Sequence, residues 1–480
     1  MEDGRSKWIF IRGGRIMNRK MTMKSAALLV LTTVMLTACT PGRSGETQDA
    51  GNKASGGDTQ EAVVLRYANW NLGTEADQNL ERRMIKAFEE THKNVTIKID
   101  ETITTDDWKA SLATAASANK LPDVFMLNEI PGSVSSDWLL DLSAMASKDA
   151  EFSALPETVK QSTGIDGKTY AIPFAQHMMG YYVNKDIFNR MNLDVPAYGI
   201  STEDFVAAVK KTTDLGQKTV GLDSAQSMVD WYAASKNKDY GWFTYTDGKY
   251  HLDSPEMVQG MTAAKDLGSN GYAYEGLDEA QKKSLSGEDP GVAFRAGQIA
   301  FYWNGTWMNG IFAKEANFDW DFISIPSGRS ALAADYLGIA KTTAHPEEAY
   351  EFAKWMSFGK EGFMKRISIA DENGLELTSL PVTSDSEALD AYWELSSVPG
   401  IKKAYENLDS AMLDPIKIVP GYAASRWEAE TGVEIGDKAN ATIGDLISAS
   451  VYGGVNYQDY AKQLNDLAQK QYDEASAAMK

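Results

Sequence analysis

The sequence predicts an α/β protein with mostly parallel sheets flanked by helices, and three observations carry that expectation. Strand and helix patterns alternate as β-α-β-α-β between residues 63 and 127, the order that lays parallel strands side by side with helices on their faces. A chain of 480 residues with 43% hydrophobic content can bury large cores and is expected to form more than one lobe. A polar stretch from Thr40 to Gln60, rich in Gly, Ser and Thr, reads as a flexible tether ahead of the folded part.

The elements follow in order. Val63-Val-Leu-Arg-Tyr-Ala68 has the apolar character of a buried strand. Thr74-Glu-Ala-Asp77 resembles a capping box opening a helix whose Leu80, Met84, Ala87 and Phe88 share one face. Val95, Ile97 and Ile99 alternate as a strand does, a second helix is expected from about Asp106 to Asn119, and Asp123-Val-Phe-Met-Leu127 supplies a third strand. In such sheets the ligand-facing loops follow the carboxyl ends of the strands. Here those loops hold Asn69-Trp70-Asn71 and Asn128-Glu129. Gly164-Ile-Asp-Gly-Lys-Thr169 reads as a turn at Asp166-Gly167 between strands, and Phe243 to Tyr250 as a hairpin turning at Asp247-Gly248, against which Trp242 packs.

The N-terminus reads as an export signal. Lys20 and Lys24 precede an apolar run from Ser25 to Ala38 that is shorter than the roughly 20 residues needed to cross a bilayer. Glu2 and Asp3 fit such a signal badly, which points to Met17 as the translation start. The single cysteine falls in Leu36-Thr37-Ala38-Cys39, which resembles a lipobox. Residues 1–38 are therefore expected to be a signal peptide, Cys39 to be lipidated, and 39–61 to tether the protein to the outer face of the cytoplasmic membrane. With one cysteine, no internal disulfide is possible.

Charge and motifs narrow the function. Residues 1–38 carry seven Lys and Arg against two acidic residues, leaving 40 basic and 65 acidic residues in the remainder. Nucleic acid is excluded as a partner on that balance, because phosphate binding needs a basic footprint. Only two residues separate Gly164 from Gly167, where a phosphate-cradling loop needs four. No G-x-S-x-G or H-E-x-x-H occurs, and the histidines at 92, 177, 251 and 345 are too scattered to suggest a metal site. A glycosidase needs two carboxylates flanking the scissile bond, and nothing in the sequence selects such a pair. Neither a catalytic residue nor a cofactor is expected.

Four segments, in order, resemble the bacterial extracellular solute-binding protein family that includes maltose-binding protein. They are Val63 through Leu127; Gly167-Lys-Thr-Tyr-Ala-Ile-Pro173 followed by Tyr181 to Phe188; Phe294 to Trp307; and Gly338-Ile-Ala-Lys with His345 to Trp355. The resemblance covers nearly all of residues 62–480. It implies a two-lobed, type II periplasmic-binding-protein-like clamp with hinge crossovers, the lobes being residues 62–174 with 326–378 and residues 175–325 with 379–480. It further implies the substrate-binding component of an ABC importer: a monomer that captures a carbohydrate, an oligosaccharide in particular, and delivers it to membrane permease subunits. A ligand-sensing subunit for a membrane kinase is the alternative, and a carbohydrate-active enzyme a more distant one.

A sugar site needs flat aromatic surfaces for the CH faces of pyranose rings and fixed donors and acceptors for the hydroxyls. Several aromatics sit in loops beside such groups: Trp70 with Asn69 and Asn71, Trp303 and Trp307 around Asn304, and Trp427 after Arg426. By position in the resembled family, Gln176 and His177, the Asp230-Trp231-Tyr232 cluster, Trp307 and Trp427 fall where relatives contact sugar. Glu129 and Tyr336, the latter beside Asp335, complete the expected groove. Trp108, Trp138, Trp320 and Trp355 lie in helix or strand patterns and are assigned to structure.

Overall fold

The computed structural model describes residues 61–286, 289–396 and 398–479. Its frame is a nine-stranded sheet formed by β1 (Val63–Ala68), β2 (Val95–Ile99), β3 (Val124–Met126), β4 (Ala171–Asn184), β5 (Val220–Leu222), β6 (Ile299–Gly305), β7 (Trp320–Phe322), β8 (Ala331–Ile339) and β9 (Met412–Leu413). The main path runs β2-β1-β3-β8-β4-β6-β5, with β7 paired to β4 and β9 to β8. Both ends of this path are parallel, β2-β1-β3 and β6-β5. The strands in between, β8 and β4, are antiparallel to their neighbours on the path. Helices connect the parallel strands, as right-handed crossovers require.

The first unit forms as its pattern dictates. In β1 and β2 the alternating side chains Val63, Leu65, Val95 and Ile97 are buried while Val64, Thr96 and Lys98 face out. The helix α1 (Leu80–Thr91) buries Met84, Ile85, Ala87 and Phe88. Its cap, however, is Asn79, whose side chain accepts the Arg82 N–H at 3.1 Å. The Thr74–Asp77 pair instead closes a separate 3₁₀ turn over Glu75–Asp77, because Gln78 takes a left-handed conformation that stops it from continuing into α1. The second helix, α2 (Trp108–Ser117), begins where Asp107 accepts the Ala110 N–H. The Asp166-Gly167 turn joins paired Gly164–Ile165 and Lys168–Thr169 as expected. Asp247-Gly248 also forms a tight turn with both φ positive, closed by the Thr246–Lys249 bridge. It does not carry a hairpin, because Trp242–Thr244 winds into a 3₁₀ turn that buries Trp242 and Phe243.

Two apolar cores meet along β4. Ala171, Ile172, Phe174, Ala175 and Met178 belong to the first, which also takes in β1–β3, Phe352 and Leu380. Tyr181 and Val183 point into the second, with Phe205, Trp231, Phe301 and Leu446, while Tyr182 on the opposite face stays with the first. The segment from Leu380 to Leu408 packs with the first core, alongside Phe294 and Phe312. The ladder between β4 and β8 slips once, where Asp335 pairs with Ala175 but Tyr336 with Pro173. Proline has no N–H to give a ladder, so a bulge here is the expected accommodation.

Candidate functional site

The Trp70 end of the site is built on the loop after β1. Asn69 is buried there; its amide donates to the Tyr67 hydroxyl at 2.6 Å and its carbonyl oxygen accepts the Asn71 N–H at 2.7 Å. That double tie fixes the loop on which Trp70 stands. Trp70 meets Trp108 edge-on at 5.2 Å, and Trp108 is itself held by donating to the Met126 carbonyl at 2.9 Å. The Lys417 ammonium lies 5.2 Å from the Trp70 ring centre and is ion-paired with Asp335 on β8, next to the bulge.

Lys417 ends a 3₁₀ turn, Pro415–Lys417, that Asp414 opens by accepting the Ile416 N–H at 3.0 Å. Burial is the main influence on the Asp414 carboxyl and pushes it up to about 6, while the Ile416 amide and Lys417 pull it down. An acid raised in the folded state holds its proton more tightly there than in the unfolded chain. Stability is therefore fully present at low pH and declines as the pH climbs from about 4 to about 6. Asp414→Asn should leave the melting temperature unchanged at pH 4 and raise it at pH 7.5, by the equivalent of about 1–3 kcal/mol. Melting curves like wild type at both pH values would show that Asp414 carries no such cost.

Arg426, on α3 (Tyr422–Trp427) in the numbering of helices used here, forms the next layer. Its guanidinium is ion-paired with Asp230, donates to the Tyr422 hydroxyl at 2.8 Å, and lies 4.3 Å from the Phe243 ring centre and 5.4 Å from that of Trp427. Burial lifts the Asp230 carboxyl above the ordinary range and the guanidinium pulls it back. Trp427 itself is 41% exposed, an aromatic surface open to a ligand beside a charge already satisfied.

The Trp307 end lies on the other side of β4. His177 meets Trp307 edge-on at 5.2 Å and pairs in register with Ala333, two residues before Asp335. Trp307 folds back over Gly305, where a Cβ would stand 2.2 Å from the indole, so only glycine permits this approach. Asn304 donates to the Tyr302 hydroxyl at 3.2 Å. Trp303 lies beside it, 4.9 Å from Tyr181 and 6.1 Å from Trp242.

Three expected groove residues are placed elsewhere. Trp231 is 0% exposed in the second core and donates to the Tyr181 hydroxyl at 3.0 Å; it is a packing residue. Tyr336 is 2% exposed in the first core, on the opposite face of β8 from its neighbour Asp335, as alternation along a strand requires. Gln176 is also buried: its side-chain amide donates to the Pro381 carbonyl and its backbone N–H to Ser379 Oγ at 3.0 Å, so it ties β4 to the segment at 379–381. Glu129 is half-buried and engaged by Lys109 at 3.1 Å. The structure brings Trp70, Asp335, Asp414, Lys417, Arg426, Asp230 and Trp427 into one chain of contacts and charges, with His177 on β4 and Trp307 beyond it. Lys417 and Asp414 carry no sequence motif; their only sequence signal is an acid and a base flanking a proline turn. The export segment, Cys39 and the tether lie outside the described residues.

Among the described residues no group of His, Cys, Asp and Glu is arranged to hold a metal, and no helix is long and apolar enough to cross a membrane.

Comparisons with known proteins bear on the family and the fold. An uncharacterized ABC transporter extracellular-binding protein of Pyrococcus horikoshii is 28% identical over 372 residues, covering 74% of this chain and 80% of that protein. The multiple sugar-binding protein of Streptococcus mutans is 23% identical over 68% of this chain and 76% of its own length. Among solved structures, an ABC substrate-binding protein from Listeria monocytogenes in complex with cycloalternan superposes with a TM-score of 0.63 at 23% identity, covering 85% of this chain and 99% of that one. The sequence pattern of bacterial extracellular solute-binding proteins matches residues 73–358. These findings establish the two-lobed substrate-binding fold, and the chain belongs to the bacterial extracellular solute-binding protein family.

Proposed function

We propose that this protein is the substrate-binding component of an ABC importer and that its ligand is a carbohydrate, an oligosaccharide in particular. The observation that carries the reading is the placement of three aromatic side chains, Trp70, Trp427 and Trp307, on separate elements, beside the polar groups of Lys417, Arg426 and His177 respectively. A monosaccharide needs one such platform; an extended ligand uses several. The named relatives that bind multiple sugars and cycloalternan support the same class. Ligand would enter between lobes comprising residues 62–174 with 326–378 and residues 175–325 with 379–480, joined through β4 and Gln176, and would favour the form that contacts it from both sides. The protein would act as a monomer held outside the cytoplasmic membrane by an acyl chain on Cys39, handing an unaltered ligand to the permease subunits.

A thermal-shift screen of the purified protein against mono- and oligosaccharides tests the reading, since a ligand bound only by the folded state must raise the melting temperature. A neutral oligosaccharide should do so and be recovered intact. If no sugar shifts the protein, carbohydrate is the wrong ligand class; if sugar is recovered cleaved, the non-catalytic reading fails. Trp307→Ala should weaken the bound oligosaccharide about tenfold while the ligand-free melting temperature stays close to wild type. Unchanged affinity by calorimetry would assign Trp307 to packing.

A further inference from the structure

The groove contains a cation that the sequence gives no reason to notice. An ammonium carries three N–H donors and no acceptor. Lys417 commits to the Asp335 carboxylate and lies over the Trp70 ring within cation–π range. Its side chain is 24% exposed and that of Asp335 16%, so the ammonium keeps access to solvent beside the aromatic face. The backbone on both sides is fixed: the β4–β8 bulge sets Asp335, and the Asp414 cap sets the turn that ends in Lys417. A hydrogen-bond donor anchored at the edge of a flat apolar ring matches a pyranose, which offers hydroxyls around its rim and CH groups on its face.

We propose that Lys417 is a ligand-binding residue at the Trp70 end of the groove and that Asp335, by holding it as an ion pair, makes this end select neutral over acidic sugars. The inference rests on the carbohydrate reading. A hydroxyl accepts the spare N–H without disturbing the pair. A uronate carboxylate brought to the same ammonium meets Asp335 at contact distance, and Asp414 lies close enough to Lys417, Asp230 and Arg426 to be acted on by all three. The two cations of this cluster face three acids, so no unpaired positive charge is left to receive an anion. The repulsion is paid wherever the ligand carries a carboxylate, and is absent for a neutral one.

The test is calorimetry on the full-length protein with maltotetraose, isomaltotetraose and raffinose as neutral probes and tetragalacturonate as the acidic one. Wild type should bind a neutral probe and not the acid. Lys417→Met should weaken the neutral probe about ten- to thirtyfold, the scale of one hydrogen bond to a charged donor. Asp335→Asn should raise the preference for tetragalacturonate over the neutral probe at least about tenfold, and adding Lys417→Met to it should abolish that gain. Neutral affinity unchanged in Lys417→Met, while Trp307→Ala still loses affinity, would overturn the role of Lys417 and leave the carbohydrate reading standing. An Asp335→Asn variant with unchanged preference would overturn the selectivity. If wild type binds no neutral probe, the carbohydrate reading itself fails and this inference with it. Ligand-free melting curves verify folding, and Lys417→Gln is judged by the same criterion should Lys417→Met not fold.

Discussion

Arg426→Met is expected to lower the stability of the folded protein by about 3–5 kcal/mol, the range for breaking a buried ion pair by removing one partner. The reason is what remains behind. Asp230 keeps a carboxylate whose side chain is 15% exposed, and with Arg426 gone it loses its ion-pair partner. The Tyr422 hydroxyl loses a donor at the same time, and the Phe243 ring loses the cation stacked on it. Urea unfolding measures the effect directly. Neutralising the stranded acid should recover part of it, so Asp230→Asn combined with Arg426→Met should be more stable than Arg426→Met alone. A loss below about 1 kcal/mol would place this pair with ordinary surface ion pairs.

Trp231→Ala should cost a similar amount, about 3–5 kcal/mol, by removing the largest fully buried side chain of the second core. The indole is packed against Phe205 and Tyr181 at 5.8 and 6.1 Å, and its N–H is satisfied by the Tyr181 hydroxyl. None of these contacts is with Trp70, Trp307 or Trp427. The folded fraction of Trp231→Ala should therefore bind oligosaccharide as wild type does, in contrast to Trp307→Ala. A Trp231→Ala variant of normal stability that no longer binds would return this residue to the ligand.

The two tryptophans show what a sequence carries and what it does not. Alternation of Val, Leu and Ile made β1–β3 and α1 readable because those elements repeat with a fixed period and bury one face. Trp231 and Trp307 sit in equally mixed surroundings, with an acid or an amide close by, and nothing local says that one faces a core and the other a cleft. That difference comes from where β4 places their partners: Tyr181 packs with Trp231 inside the second core, while His177, four residues earlier, meets Trp307. Tyr336 lies in the first core and its neighbour Asp335 on the other face of β8; strand alternation is legible in sequence, but which of the two faces meets the core is set by distant packing. Lys417 and Asp414 became candidates only when the turn at 415–417 was brought against Trp70, more than three hundred positions earlier. Pairings that distant leave no trace in local pattern.

The bulged pairing of β4 with β8 also bears on how the molecule opens. β4 is bonded to β8 and β7 along one edge and to β6 along the other, and its side chains are shared between both cores. No partial unfolding can free its amides while leaving either core whole. Its central N–H groups should be the last in the protein to exchange with solvent. β4 is then expected to be the slowest-exchanging strand of the sheet, a property that hydrogen exchange reads strand by strand.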